Sequence, residues 1–411
     1  MTEDQRRLTT RETAERLGVK PETVYAYVSR GLLTSRRGPG GRGSTFAADE
    51  VDTLLRRGRR DRPTAAETAF TGGTLRTGIT LIEEDRYFFR GVDATELAEA
   101  YGYEDVAEWL WTGRMEPGTR FSASTETTTA ARQAVAALPR HSGPMDRLRV
   151  AVTAAATADP LRFDTTEERV LATGRTLIAT LVDALPPVAA EAPPGASVAE
   201  RLWPRLTPRV PEGPGIAVLD RALTLLIDHD LAASTLAVRV AASARAHPYA
   251  AVSAGLGAVD GPLHGAASGL AHRMLSEVLE RGSAAAVVAD HLRAGRRIPG
   301  IGHRLYPGPD PRAVALFGAL GETPWAEPAL AAARDVAAVV ARHTDRHPNV
   351  DLALAVLSVA AGMPAESGET LFAVARTAGW LAHALEEYRE APLRMRPRGE
   401  YRGPRPPQPL P

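Results

Sequence analysis

Residues 349–387, NVDLALAVLSVAAGMPAESGETLFAVARTAGWLAHALEE, decide the fold class. The run LALAVLSVAAG is apolar and opens behind Asp351. An acidic residue in the first turn of a helix is the ordinary partner of the helix dipole. In the second half, Leu371, Val374, Ala378, Leu381 and Leu385 recur at helical spacing and predict one apolar stripe. Arg376 falls off that stripe, on the side of Trp380 and His383, where it is either solvated or aimed into a cleft. The same Ala/Leu-rich helical period runs nearly throughout from Thr74 onward. Long helical segments without strands between them predict a mainly α body.

Working outward, the one β-prone piece is TLRTGITLIEEDRYFFRG from Thr74, two short runs around a charged turn. Asp93-Ala-Thr-Glu96 then has the spacing of a helix start. Residues 185–215 are Pro-rich and read as a surface loop or insertion, and the tail YRGPRPPQPLP reads as extended. Residues 63–73 read as a linker between residues 1–62 and the body. Formal net charge is zero over 411 residues, yet residues 1–62 hold 14 Lys+Arg and 9 Asp+Glu, a net of +5. The absence of cysteine removes disulfides, thiolate nucleophiles and Cys-based zinc sites, and no metal site is expected. The start MTEDQRRLTT lacks an apolar run, and no 18-residue uncharged apolar stretch occurs, so a cytoplasmic protein without a membrane span is expected.

In the head, Thr10–Leu17 and Pro21–Arg30 predict two helices joined by the tight turn Leu17-Gly-Val-Lys20. Ala14, Leu17, Val19, Val24 and Val28 are spaced to pack them together, leaving Thr23, Tyr25, Ser29 and Arg30 exposed. A basic Gly-rich loop, Arg36 to Phe46 with Arg42 at its centre, follows, and a third helix is expected over Ala48–Arg57. TTRETAERLGVKPETVYAYVSRGLL with GRGSTFAADEVDTLL resembles the MerR-like and excisionase-like winged helix-turn-helix domains. The resemblance implies a recognition helix and a wing, and DNA as a partner through residues 8–57. A small helical accessory or dimer-contact module is the other reading of the same residues.

Three histidines have unusual neighbours: His229 in Asp228-His-Asp230, His264 in Gly261-Pro-Leu-His-Gly265, and His303 in Gly300-Ile-Gly-His-Arg304. Flanking glycines let backbone approach a ligand closely. On the residues alone, each histidine has a functional and a structural reading.

GPLHG, GIGHR, DPR (310–312), NVD, ARTAGWLAH and RPR with Tyr401 and Gly403 occur in the order and at the spacing of the citrate synthases. DHDLAAST (228–235) and RGVDATELAEAYGYEDVAEWLWTG (90–113) resemble two further stretches of that family. The resemblance spans about residues 74–405 and implies a two-domain helical fold. Its large domain would be 74–266 with 371–411, and its small domain 267–370. The implied reaction condenses acetyl-CoA with oxaloacetate. Asp351 would be the base, His264 would stabilise the enol and His303 would polarise the ketone. His229, Arg312, Arg376 and Arg396 would clamp the substrate carboxylates, Arg396 from the other subunit of a homodimer. No cofactor is implied, since acyl-CoA is a substrate.

Three positions depart from the family pattern. The lysine that follows the GHR-x-Y run is replaced in Leu305-Tyr306-Pro307, Leu226 stands for a histidine, and Asp230 for a glutamate. A 2-methylcitrate synthase using propionyl-CoA is therefore an alternative within the class, and a metabolite-sensing DNA-binding regulator an alternative outside it.

Overall fold

The computed structural model describes residues 7–17, 19–29, 32–37, 43–51, 75–261, 264–396 and 400–408. The chain divides into two compact units, residues 74–396 and residues 1–73 with 397–411.

In the head, β1 (Arg7–Thr9) leads into α1 (Thr10–Leu17). Thr9 and Glu12 cap that helix reciprocally. Glu12 Oε2 accepts the Thr9 N–H at 2.8 Å, and Thr9 Oγ1 accepts the Glu12 N–H at 3.3 Å. Proline opens α2 (Pro21–Ser29). Leu8, Ala14, Val24, Leu33, Phe46 and Val51 make a small core, with Leu17, Val19 and Val28 packed on it. The reading of Arg36 to Phe46 as a loop is corrected at its two ends. The arms of the basic loop are strands, β2 (Ser35–Arg37) and β3 (Ser44–Ala47), in an antiparallel sheet of order β1-β3-β2. Strands of three or four residues carry too little alternation to register in sequence, and burial of Phe46 organises them. Tyr25 is exposed and Thr23 half-buried. A helix begins at Ala48; its continuation to Arg57, the linker 63–73, Arg30, Arg42 and the side chain of Ser29 lie outside the described residues.

The body opens with the expected hairpin, β4 (Thr80–Glu83) and β5 (Arg86–Phe89), extended by β6 (Val92–Asp93). Asp93 then accepts the N–H groups of Thr95 and Glu96 at 2.9 and 3.4 Å and starts α3 (Ala94–Ala100). There follow α4 (Tyr103–Thr112), α5 (Thr125–Ala136), α6 (Pro144–Ala158), α7 (Glu167–Ala184) and α8 (Val198–Leu206). Next come α9 (Gly215–Leu226), α10 (Ala233–Ser243), α11 (Pro248–Val259), α12 (Ala267–Arg281) and α13 (Ala284–Arg293). The last are α14 (Pro311–Gly321), α15 (Glu327–Ala341), α16 (Val350–Ala360) and α17 (Ser367–Arg389). No described helix is long and apolar enough to cross a membrane.

Helix α8 corrects the reading of 185–215 as surface loop throughout. Ser197 and Glu200 form a full capping box, and Val198, Ala199, Leu202 and Trp203 are buried. Pro204 lies inside the helix, where it forgoes an N–H bond to the Glu200 carbonyl, and its own carbonyl accepts from Val188 and Ala189.

Helix α17 is the axis of the body. The stripe predicted along it understates its burial, because Arg376, Trp380, His383 and Glu387 on the other sides are buried too. Helices α4, α7, α9, α10 and α11 all pack on it. Close approach depends on glycine: a Cβ on Gly379 would strike the carbonyl oxygen of Ile227 and lie 2.9 Å from Asp228 Oδ1. Gly379→Ala is expected to cost about 2–4 kcal/mol, since neither backbone nor a buried carboxylate yields easily. A thermal melt showing an unchanged Tm would contradict this packing.

Candidate active site

The loop bearing His303 is pinned on both sides. Gly302 N–H donates to the His347 carbonyl at 2.7 Å, Asn349 N–H to the Gly300 carbonyl at 2.9 Å, and Asn349 Nδ2 to the Gly302 carbonyl at 2.8 Å. Gly300 and Gly302 have φ of 75° and 85°, and a Cβ on Gly300 would meet Leu352 at 2.7 Å, so the loop needs glycine there. Within it, the Leu305 N–H donates to His303 Nδ1 at 3.1 Å. Nδ1 is thus an acceptor, and the neutral ring carries its proton on Nε2. Burial and the neighbouring Arg312 push the imidazole down to about 4, so it is neutral at physiological pH. Arg312 Nη2 lies 3.3 Å from Nε2. Both groups line the same cleft.

Arg312 is held rigidly. Its Nε and Nη2 donate to the two oxygens of Asp310 at 3.0 and 2.8 Å, a bidentate pair. Asp310 also caps α14 through the Arg312 N–H at 3.1 Å and accepts the Val350 N–H at 3.0 Å. One carboxylate therefore ties together the starts of α14 and α16. Arg376 projects from α17, donates through Nε to the Leu226 carbonyl at 2.9 Å and lies 4.5 Å over the Phe372 ring. Burial lowers its pKa to about 10, still cationic at neutral pH. His229 is buried, with Nε2 2.7 Å from the Tyr306 hydroxyl. Burial and then Arg312 and Arg376 hold its pKa well below the usual range, so it is neutral.

Across the cleft, Asp351 stands in the first turn of α16, its N–H satisfied by the Asn349 cap at 3.0 Å. Burial raises its carboxyl to about 6 despite Arg312. His264 Nε2 lies 2.9 Å from Ser234 Oγ, and its ring packs edge-on to Phe372 at 5.4 Å. Burial and Arg376 lower its pKa. Gly265 passes so close to Val259 that a Cβ would strike the Val259 carbonyl. Pro262 and Leu263 of the same motif lie outside the described residues.

These groups converge. His229, His264, His303, Arg312, Asp351 and Arg376 all line one cleft of about 540 Å³. It joins five separate stretches of chain into one surface of two guanidinium groups, three neutral imidazoles and a carboxylate of raised pKa. Arg396 does not belong to it; it is exposed, in the turn after α17, and donates its N–H to the Leu393 carbonyl at 3.2 Å.

Residues 72–398 match the family model described as citrate synthase, C-terminal domain. The chain belongs to the citrate synthase family. It is a citrate synthase-type enzyme, of the citrate or 2-methylcitrate kind. Among curated relatives, the 2-methylcitrate synthase 2 of Corynebacterium glutamicum is 28% identical over 349 residues, 78% of this chain and 90% of that protein. The citrate synthase of Haloferax volcanii is 30% identical over 340 residues, 76% of this chain and 88% of that one. The crystal structure of citrate synthase from Thermotoga maritima superposes with a TM-score of 0.66 at 27% identity, covering 83% of this chain and 96% of that one. Residues 7–59 of the head match a helix-turn-helix domain model.

Several residues that shape this synthase's cleft were not singled out from sequence. Beneath it runs a buried polar chain. Arg239 Nη1, which can only donate, lies 3.1 Å from His383 Nδ1, so a ring proton sits on Nε2, which donates to Asp228 Oδ2 at 3.2 Å. Asp228 also accepts from the Thr80 hydroxyl at 2.5 Å, which fixes the residue next to His229. At the other end, Glu387 accepts from Arg239 and, bidentately, from Arg394 at 2.8 and 2.6 Å. Tyr306 between the two histidines is the other omission. It stands two residues beyond Arg304 of the GIGHR stretch, just before Pro307, where the family pattern has a lysine.

Proposed function

We propose that the cleft condenses acetyl-CoA with oxaloacetate to give citrate and CoA. The observation that carries this is the convergence of six side chains on one 540 Å³ cleft. Asp351 takes a methyl proton from the thioester; a carboxyl raised to about 6 is ionised at pH 7 yet a better base than a solvated aspartate. His264 donates to the developing enolate oxygen as a neutral imidazole. His303 Nε2 and Arg312 donate to one oxygen of the 2-oxo acid, where charge grows as the new carbon–carbon bond forms. Arg312, Arg376 and His229 hold the carboxylates. Arg396, exposed outside the cleft of its own chain, completes the pocket of the second subunit in a homodimer. Residues 267–370 act as the domain that closes over the cleft, and expelling water strengthens every one of these contacts. Thioester hydrolysis then releases citrate and CoA thiol.

The test is thiol release by the purified full chain with oxaloacetate and a panel of acyl-CoAs. Acetyl-CoA is expected to have the highest kcat/KM. One methylene is worth only about 1–3 kcal/mol of discrimination, so a propionyl-CoA preference would move the enzyme to the 2-methylcitrate reading, which the Corynebacterium relative supports. Activity with neither would overturn both.

For the head we propose binding to duplex DNA, supported by the helix-turn-helix match, the two strands flanking the basic loop and the exposed Tyr25 on α2. Affinity is then expected to come mostly from phosphate contacts and to fall steeply as salt rises. Fluorescence polarisation across a salt series, with a variant lacking residues 1–62 as control, reads this directly. Absence of binding to any duplex at low salt would leave the head a structural module.

A further inference from the structure

Tyr306 is buried, 3% exposed, and wedged between two cleft histidines. Its ring lies 4.9 Å from that of His303 at a 33° tilt and 5.5 Å from that of His229, while its hydroxyl is 2.7 Å from His229 Nε2. Neither residue has another hydrogen-bonding partner recorded at these atoms among the described residues.

We propose that Tyr306 is a positioning residue: its hydroxyl donates to His229 Nε2 and holds His229 in the tautomer whose proton sits on Nδ1, the ring nitrogen left for the anionic substrate. The donor direction follows from satisfaction. If Nε2–H donated to the tyrosine oxygen instead, the buried Tyr306 O–H would have no acceptor, and a lone pair on Nδ1 would face the carboxylates. With Tyr306 as donor, the hydroxyl is satisfied and Nδ1 carries the ring proton of a residue that lines the cleft with Arg312 and Arg376. The neutral state of His229 makes the choice of tautomer decisive, since a doubly protonated ring would donate from both atoms whatever Tyr306 did. In water the alternative tautomer, with the proton on Nε2, is open to the ring, so removing the hydroxyl releases the constraint.

This inference rests on the reading of His229 as part of the carboxylate clamp, and its test separates the two. The full-length protein is labelled with ¹⁵N-histidine, and long-range proton–nitrogen correlation spectra are recorded for the wild type, Tyr306→Phe and, for assignment, His229→Gln. Oxaloacetate affinity is measured by calorimetry, with kcat and Tm alongside. The wild type is expected to show protonated Nδ1 on His229. Tyr306→Phe is expected to shift the proton towards Nε2 and weaken oxaloacetate binding by roughly 3- to 10-fold, one hydrogen bond's worth. Its kcat should change by less than about twofold and its Tm by less than about 2 °C, since no volume is lost beyond one oxygen. A wild-type proton on Nε2, a tautomer unmoved in Tyr306→Phe, or a moved tautomer with unchanged affinity would each overturn the proposal. Arg376→Leu serves as the reference. If it loses oxaloacetate while Tyr306→Phe does not, the clamp stands and only the role of Tyr306 fails. If Arg376→Leu binds normally, the clamp reading itself has failed.

Discussion

Asp351→Ala is expected to lower kcat by roughly 10²–10⁴-fold, the contribution typical of a positioned general base. Oxaloacetate binding should be nearly unchanged, because the carboxylate acts on the thioester and not on the 2-oxo acid. Loss in kcat without loss in ground-state affinity is the signature of a group that works only on the way to the transition state. The pH profile supplies a second reading. A base raised to about 6 by burial is ionised above that pH and protonated below it. Activity as kcat/KM should therefore fall as pH drops through about 6, and the residual activity of Asp351→Ala should lack that limb. His303 does not confuse the assignment, since burial holds it down to about 4. Near-wild-type turnover in Asp351→Ala would remove Asp351 from the chemistry.

Arg376→Leu is expected to act oppositely, on binding. Arg376 is 1% exposed, is fixed by the Leu226 carbonyl through Nε and by the Phe372 ring, and lines the cleft. Truncating one member of a buried charge pair typically costs about 2–5 kcal/mol, so the Kd for oxaloacetate should rise by at least roughly 30-fold. Part of that loss belongs to the substrate carboxylate left without a partner. Isothermal calorimetry with oxaloacetate alone reads the effect free of turnover. Unchanged affinity in a folded Arg376→Leu protein would show that the arginine is structural.

Much of this site is legible in the chain because its residues sit in short motifs with little packing purpose. Glycines around His264 and His303, and Asp310-Pro-Arg312 at a helix start, are choices a core does not need. Arg376 is legible as an arginine off the apolar stripe of a helix, although the stripe misjudged how completely α17 is buried. A helix surrounded on all sides loses the amphipathic contrast on which periodicity depends. What stayed hidden is pairwise and distant. Asp228 and His383 are 155 positions apart and Tyr306 and His229 are 77 apart, yet each pair is in hydrogen-bond contact. No local pattern encodes such meetings; they follow from how the helices pack. Helix α8 was hidden for another reason, since proline-rich flanks and Pro204 mask a capping box and a buried face. In the head, strand pairing between residues 35–37 and 44–47 is too short to leave a period.

The measurement that tests the central claim most directly is product analysis with methyl-deuterated acetyl-CoA. The purified full chain is incubated with the labelled thioester, with and without oxaloacetate, and both CoA thiol and citrate are quantified by mass. The account predicts citrate retaining two deuterons, formed in equal amount to CoA and only when oxaloacetate is present, because one deuteron leaves to Asp351 before the carbon–carbon bond forms. Folded protein that yields no citrate, or that releases CoA equally well without oxaloacetate, would contradict it.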